Sequence, residues 1–190
     1  MIRFSPSPLV LAGALALATW PAAAAQDARD PLWAPQLDKA SNLYSVTPTF
    51  YRSAKLEPAD VARLQALGVK TVVSLRAFHS DEVLLADSGI KTVQIPIYTW
   101  KIRDEQVVQA LRAIRSAERD GAVLLHCLHG ADRTGLVTAM YRIIYQQRSK
   151  EQAVDELKHG GYGYHAIWKN IDSYLRKVDV EAIRRRVAQP

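Results

Sequence analysis

The stretch Val123-Leu-Leu-His-Cys-Leu-His-Gly-Ala-Asp-Arg-Thr-Gly135 decides how this 190-residue chain is read. A short apolar run ends at His126, small and polar residues follow, and Leu136, Val137, Met140, Ile143 and Ile144 then recur at helical spacing. The predicted order is strand, loop, helix N-terminus. A helix N-terminus offers unpaired backbone N–H groups and partial positive charge, so such a loop suits a phosphate dianion. Cys127 opens the loop and Arg133 closes it, with five residues between them. The same field favours the Cys127 thiolate and makes it nucleophilic near neutral pH. Arg133 can grip two phosphate oxygens through its planar fork, which lysine cannot do. Gly130 permits a backbone turned so that its N–H groups face inward, and Gly135 lets the first helical turn approach closely.

Outward from this loop the pattern alternates. Asn42 to Tyr51, broken at Pro48, predicts a strand or strand pair. Pro58 at a first helical position and Gly68 just past the end enclose Val61, Leu64 and Leu67 as a helix. The apolar run from Val69 to Leu75 predicts a buried parallel strand. A short helix is expected over Asp81 to Ala86, a strand over Lys91 to Ile95, and an amphipathic helix from Asp104 that ends by Gly121. Ser149 and Gln152 form a capping box for a helix closing at Gly160 and Gly161, and two helices, Tyr164 to Val178 and Val180 to Val187, finish the chain. Strands alternating with helices give an α/β fold, a central and mainly parallel twisted sheet with helices on both faces.

The ends and the composition narrow the class. Arg3, the apolar run Leu9 to Ala18 and Ala23-Ala24-Ala25 make residues 1–25 a secretory signal peptide, too short to span a bilayer. Residues 26–41 read as a loosely held leader, and 42–190 as one domain. Without Arg3, the 25 Lys and Arg become 24 against 19 Asp and Glu, a basic balance suited to anionic substrates. The charges are dispersed rather than striped, so nucleic acid is not implied. Cys127 is the only cysteine, so an intramolecular disulfide is impossible and the thiol is unpaired. Two ligands adjacent on a strand point to opposite faces, so His126 and Cys127 do not make a metal site, and no cofactor is expected. Oligomeric state has no signal in the sequence.

Cys-x5-Arg-Thr between strand and helix resembles the cysteine-dependent protein tyrosine and dual-specificity phosphatase superfamily, and its His-Cys-x-His-Gly-x-x-Arg-Thr-Gly form resembles the TpbA-like secreted bacterial members. Phe50-Tyr51-Arg52-Ser53-Ala54, Gly68 to Arg76 and Gly160-Gly161-Tyr162-Gly163 extend the likeness over most of the chain after the signal. The resemblance implies a dual-specificity phosphatase-like sheet, no metal, a periplasmic destination and a two-step reaction. Cys127 forms a phosphocysteine that water then hydrolyses. The N–H groups of Leu128, His129, Gly130, Ala131, Asp132 and Arg133, with the Arg133 side chain, hold the phosphoryl oxygens, and Thr134 donates to the Cys127 sulfur.

One part departs from that pattern. The relatives carry an aspartate, the general acid, in the loop that here reads Tyr98-Thr99-Trp100-Lys101-Ile102-Arg103, and Trp100 takes its place. The candidates left are Asp132, in a Gly-x-Asp-Arg-Thr form that resembles phosphoinositide-type phosphatases, and Asp104, which also reads as a helix N-cap; the remaining alternative is that neither acts and a good leaving group needs no acid. Tyr98, Trp100, Tyr162 and Tyr164 would give the mouth an aromatic wall suited to phosphotyrosine, while Lys101 and Arg103 would suit a phosphoinositide or inositol polyphosphate. The expected partner is a phosphorylated protein, small molecule or lipid. A phosphate-binding pseudophosphatase and a sulfur-transfer enzyme are the readings from other classes. His126 is expected to brace the loop base and His129 to face the substrate.

Overall fold

All five residues of β6 (Ala122–His126) are buried, because this strand lies in the middle of a six-stranded sheet. The computed structural model describes residues 29–189, together with Met1, so the expected signal peptide lies outside the described residues. The strands are β1 (Gln36–Asp38), β2 (Leu43–Thr47), β3 (Phe50–Ser53), β4 (Val69–Ser74), β5 (Lys91–Gln94) and β6, in the order β1-β2-β3-β6-β4-β5. β1, β2 and β3 form an antiparallel meander, whereas β3, β6, β4 and β5 run parallel. Ser53, His126 and Ser74 are in register, so the ends of three parallel strands meet at the start of the phosphate loop. A ligand site belongs at the carboxyl ends of such strands.

Alternation along β6 explains the layers. Leu124 packs with Leu43, Leu64, Val72 and Leu85 under α1 (Asp60–Ala66) and α2 (Glu82–Leu85). Val123 and Leu125 point the other way, into a larger core with α3 (Asp104–Ala117), α4 (Asp132–Tyr145), α5 (Lys150–His159), α6 (Lys169–Lys177) and α7 (Val180–Ala188). A strand covered on both faces needs apolar residues on both, which is why β6 reads as a continuous run. The capping box at Ser149 and Gln152 forms as expected, and Gly68 ends α1 with φ of 71°. Among the described residues no helix is long and apolar enough to cross a membrane.

Two expectations need correction. From Arg29 onward the leader is not loosely held. Ala34 is buried and donates its N–H to Glu156 at 3.0 Å, and Arg29 donates to the Gly160 and Ala34 carbonyls. The Arg29 guanidinium also lies 5.1 Å from the Tyr44 ring centroid and 5.3 Å from that of Tyr162, so cation–π contacts fix a segment whose composition reads as a linker. The helix expected from Tyr164 starts only at Lys169; the turn before it places the His165 N–H on the Asp132 carboxylate at 2.9 Å.

Candidate active site

The loop from Cys127 to Ala131 is held from outside by its carbonyls. Lys55 N–H donates to the Leu128 carbonyl at 3.1 Å, Asn42 Nδ2 to that of His129 at 2.8 Å, and Arg52 Nη2 to that of Gly130 at 2.6 Å. Each peptide is trans and planar, so the N–H on its far side points the opposite way. The N–H groups of His129, Gly130 and Ala131 therefore turn to the inside of the loop. Gly130 makes this possible with φ of 69°, and a Cβ there would lie 2.5 Å from the Ser53 carbonyl carbon and oxygen. The α4 N-cap is Ala131, which offers no side-chain oxygen to the first turn. That leaves the helix N-terminus available to an anion.

Cys127 sits at the base of this cradle, 2% exposed. Arg133 Nη1 donates to the Leu75 and Ile97 carbonyls, each at 3.3 Å, so the guanidinium is anchored to the carboxyl ends of the sheet. His126 is buried between Asp81 Oδ2, 2.8 Å from its Nε2, and the Cys127 carbonyl, 3.2 Å from its Nδ1. It braces the loop base as expected. Burial alone would raise the Asp81 carboxyl, but the hydrogen bond and charge of His126 outweigh it and hold Asp81 below the usual carboxylate range. The Thr134 hydroxyl is buried with no partner among the described residues, so the expected bond to the Cys127 sulfur is not made here.

Beneath the loop lies a fully buried cation that the sequence reading left unassigned. Arg52 stacks 3.7 Å from the Tyr162 ring centroid, and burial draws its pKa down while Tyr162, Glu156 and Cys127 oppose that. Tyr162 is therefore part of the loop's support, 1% exposed, and not of the mouth. Tyr164 donates to the Trp168 carbonyl at 3.1 Å. The signal for Arg52 was a charged residue inside a strand whose other positions are all buried.

The cleft that contains Arg133 measures about 240 Å³ and is lined by Arg76, Phe78, His79, Tyr98, Trp100 and Leu128 among others. Tyr98 lies 5.9 Å from Phe78 and 5.2 Å from Trp100 between ring centroids, so the three rings form a shelf. Phe78 is 77% and Trp100 64% exposed. Two expected wall residues, Tyr98 and Trp100, are present, and Phe78 joins them from the loop after β4. Lys101 and Arg103 do not line this cleft. Nor does His129, which lies instead in a neighbouring cleft with Arg29, Lys39, Asn42 and His165.

The two candidate acids are held by different partners. Asp104 accepts from Tyr174 at 2.8 Å and lies 3.6 Å from Arg186, so it ties α3 to α6 and α7 and is not in the loop. Asp104, expected as an alternative acid, is thus engaged with Tyr174 and Arg186 instead of the cradle; it is also no N-cap, a position held by Arg103. Asp132 stands beside the cradle, 6% exposed, with Oδ1 taking the His165 N–H and Oδ2 lying 2.9 Å from His165 Nδ1. His165 was not singled out in the sequence because it is 33 residues away on a glycine-rich turn.

A cysteine and an arginine at the two ends of an anion cradle, between the central strand of a mainly parallel sheet and the helix that follows it, define a cysteine-dependent phosphatase. Residues 46–173 match the family model described as PTP-SAK: Swiss Army Knife protein, DSP-PTPase phosphatase domain. The dual specificity protein phosphatase TpbA of Pseudomonas aeruginosa is 41% identical over 160 residues, 84% of this chain and 73% of that protein. A crystal structure of P. aeruginosa TpbA, a cysteine-to-serine form in complex with phosphotyrosine, aligns with a TM-score of 0.80 at 40% identity over 85% of this chain and 99% of that one. The catalytic core of the PP-IP phosphatase Siw14 from S. cerevisiae shares the fold, with a TM-score of 0.63 at 21% identity over 76% of this chain and 89% of that one. The chain belongs to the DSP-PTPase phosphatase family and is a cysteine-dependent phosphoric monoester hydrolase.

Proposed function

We propose that this enzyme is an exported phosphatase whose substrate is phosphotyrosine in protein. The observation that carries the reading is the shelf of Phe78, Tyr98 and Trp100 in the same cleft as Arg133, which gives a phenyl ring an apolar seat while its phosphate enters the cradle. The complex of TpbA with phosphotyrosine supports the same choice. Export rests on the tripartite pattern of residues 1–25.

In this reading the Cys127 thiolate attacks phosphorus, an S–P bond forms, and the bond to the phenolic oxygen breaks. The inward N–H groups and Arg133 hold the equatorial oxygens throughout. Asp132 gives its proton to the departing phenolate, then takes one from the water that splits the phosphocysteine. The unpartnered Thr134 hydroxyl turns to the sulfur as it leaves. Nothing in the sequence Tyr98 to Arg103 competes for the acid role, since the segment has no carboxylate.

The test is phosphate release by the reduced chain from Gln26 onward, beside its Cys127→Ser form. The panel holds phosphotyrosine, phosphoserine and phosphothreonine peptides, a phosphoinositide and inositol hexakisphosphate. The reading expects the highest kcat/KM on phosphotyrosine. Preference for either inositol compound would overturn the substrate assignment. Phosphate binding without turnover on any member would overturn the catalytic one.

A further inference from the structure

The phosphate loop and the glycine-rich turn meet at three side chains that the catalytic reading uses only in part. Asp132 Oδ2 and His165 Nδ1 are 2.9 Å apart, and the His129 and His165 ring centroids are 5.4 Å apart. One donor atom from each of the three lies within 4.8 Å of the other two. We propose that His129, Asp132 and His165 form a binding site for a divalent transition metal of the zinc class, set on the rim of the phosphate loop.

The donor set selects the metal. Two imidazoles and one carboxylate suit Zn²⁺ and its neighbours, whereas Mg²⁺ and Ca²⁺ favour oxygen donors. Three protein ligands also leave a fourth position open to water or an anion. Tetrahedral zinc with bonds of about 2.0–2.1 Å places its donors about 3.3 Å apart. Asp132 and His165, 2.9 Å apart, need to part by only about 0.4 Å, while His129 has to swing inward, and its ring is exposed. Asp132 keeps the His165 backbone N–H on Oδ1, the kind of outer hydrogen bond that orients a ligating carboxylate. His165 exchanges its Nδ1 proton, released to solvent, for the metal. The imidazole at the loop base takes no part, because His126 is buried and turned to Asp81.

Binding does not depend on the phosphatase reading, but its effect on turnover does. An ion on Asp132 occupies the carboxylate that would protonate the leaving group. Zn²⁺ should therefore slow hydrolysis of phosphotyrosine, and His165→Ala should relieve part of that inhibition.

The decisive experiment uses the Cys127→Ser chain, which removes the competing thiolate, in buffer free of phosphate and chelator. Zn²⁺ is titrated by calorimetry and Co²⁺ by its visible absorbance. The proposal expects one ion per chain, weakened by at least the 10–100-fold typical of losing an outer-shell partner in His129→Ala and in His165→Ala. Both replaced rings are exposed, and circular dichroism confirms that each variant is folded. No saturable uptake, or uptake unchanged in both variants, would overturn the site. Uptake as expected, with phosphotyrosine turnover by the Cys127 enzyme unimpaired while the site is filled, would keep the site and remove Asp132 as the acid.

Discussion

Replacing Glu156 by glutamine should cost about 3–5 kcal/mol of folding stability, the range for removing one partner of a buried ion pair. Glu156 is 2% exposed and Arg142 3%. The carboxylate accepts from Arg142 Nε at 2.9 Å and Nη2 at 2.8 Å, from the Tyr162 hydroxyl at 2.8 Å and from the Ala34 N–H at 3.0 Å. One side chain thus joins α4, α5, the leader and the tyrosine that supports Arg52 beneath the phosphate loop. Glutamine keeps the shape but loses the charge, and its amide N–H groups face donors that need an acceptor. Burial alone would raise the Glu156 carboxyl, yet the hydrogen bonds and charge of Arg142, with Ala34 and Tyr162, hold it below its ordinary value of 4.5.

The sign of the pH dependence follows. A carboxyl depressed in the folded state stabilises fully above its unfolded pKa, and that stability is lost as pH falls through the folded pKa. The gap between wild type and Glu156→Gln should be full at pH 7 and shrink below about pH 4.5. In urea, with a slope of about 2 kcal/mol/M, the midpoint at pH 7 should fall by roughly 1.5–2.5 M, read by tryptophan fluorescence. Pairing Glu156→Leu with Arg142→Met should recover only part of the loss, since Arg142 is no longer stranded but Arg148, the Tyr162 hydroxyl and the Ala34 N–H still lose their acceptor. A single-variant midpoint within about 0.5 M of wild type would refute the reasoning, because so small a shift corresponds to only about 1 kcal/mol.

Three further outcomes follow from the site. Gly130→Ala should lower kcat/KM by about 100-fold, the effect of displacing a reacting group by about an ångström, because its Cβ would meet the Ser53 backbone at 2.5 Å. Asp132→Asn should lower kcat on phosphotyrosine by about 10²–10⁴-fold, with a smaller loss on a nitrophenyl phosphate that needs no proton, while Asp104→Asn leaves steady-state kinetics unchanged. Trp100→Ala should raise KM for phosphotyrosine peptides about 2- to 10-fold, the equivalent of one aromatic contact, and leave phosphoserine peptides unaffected.

The fold was legible because its signals are local. The apolar runs of β4 and β6, Gly68 after α1 and the Ser149–Gln152 capping box each decide an element from neighbouring residues alone. The cradle was legible for the same reason, since Cys127 to Arg133 is one contiguous loop. What escaped was assembled across the chain. His165 reaches Asp132, Arg52 reaches Gly130, Asn42 reaches both His129 and Tyr162, and Phe78 completes the shelf of Tyr98 and Trp100. Spacing carries no information about contacts made by folding. Asp104 misled for a related reason: an acidic residue at the start of a helix reads alike whether that end faces the active site or, as here, Tyr174 and Arg186. The leader misled because its polar composition hid Arg29 and Ala34, which dock onto Gly160 and Glu156.

The central claim is that the reaction passes through Cys127. Rapid mixing of the reduced enzyme with a phosphotyrosine peptide, quenching within the first turnover and peptide mass analysis test it directly. The account predicts a single phosphoryl group on Cys127 that decays at the rate of phosphate release and is absent in Cys127→Ser. A phosphoryl group on His126, His129 or His165, or normal turnover by Cys127→Ser, would contradict it.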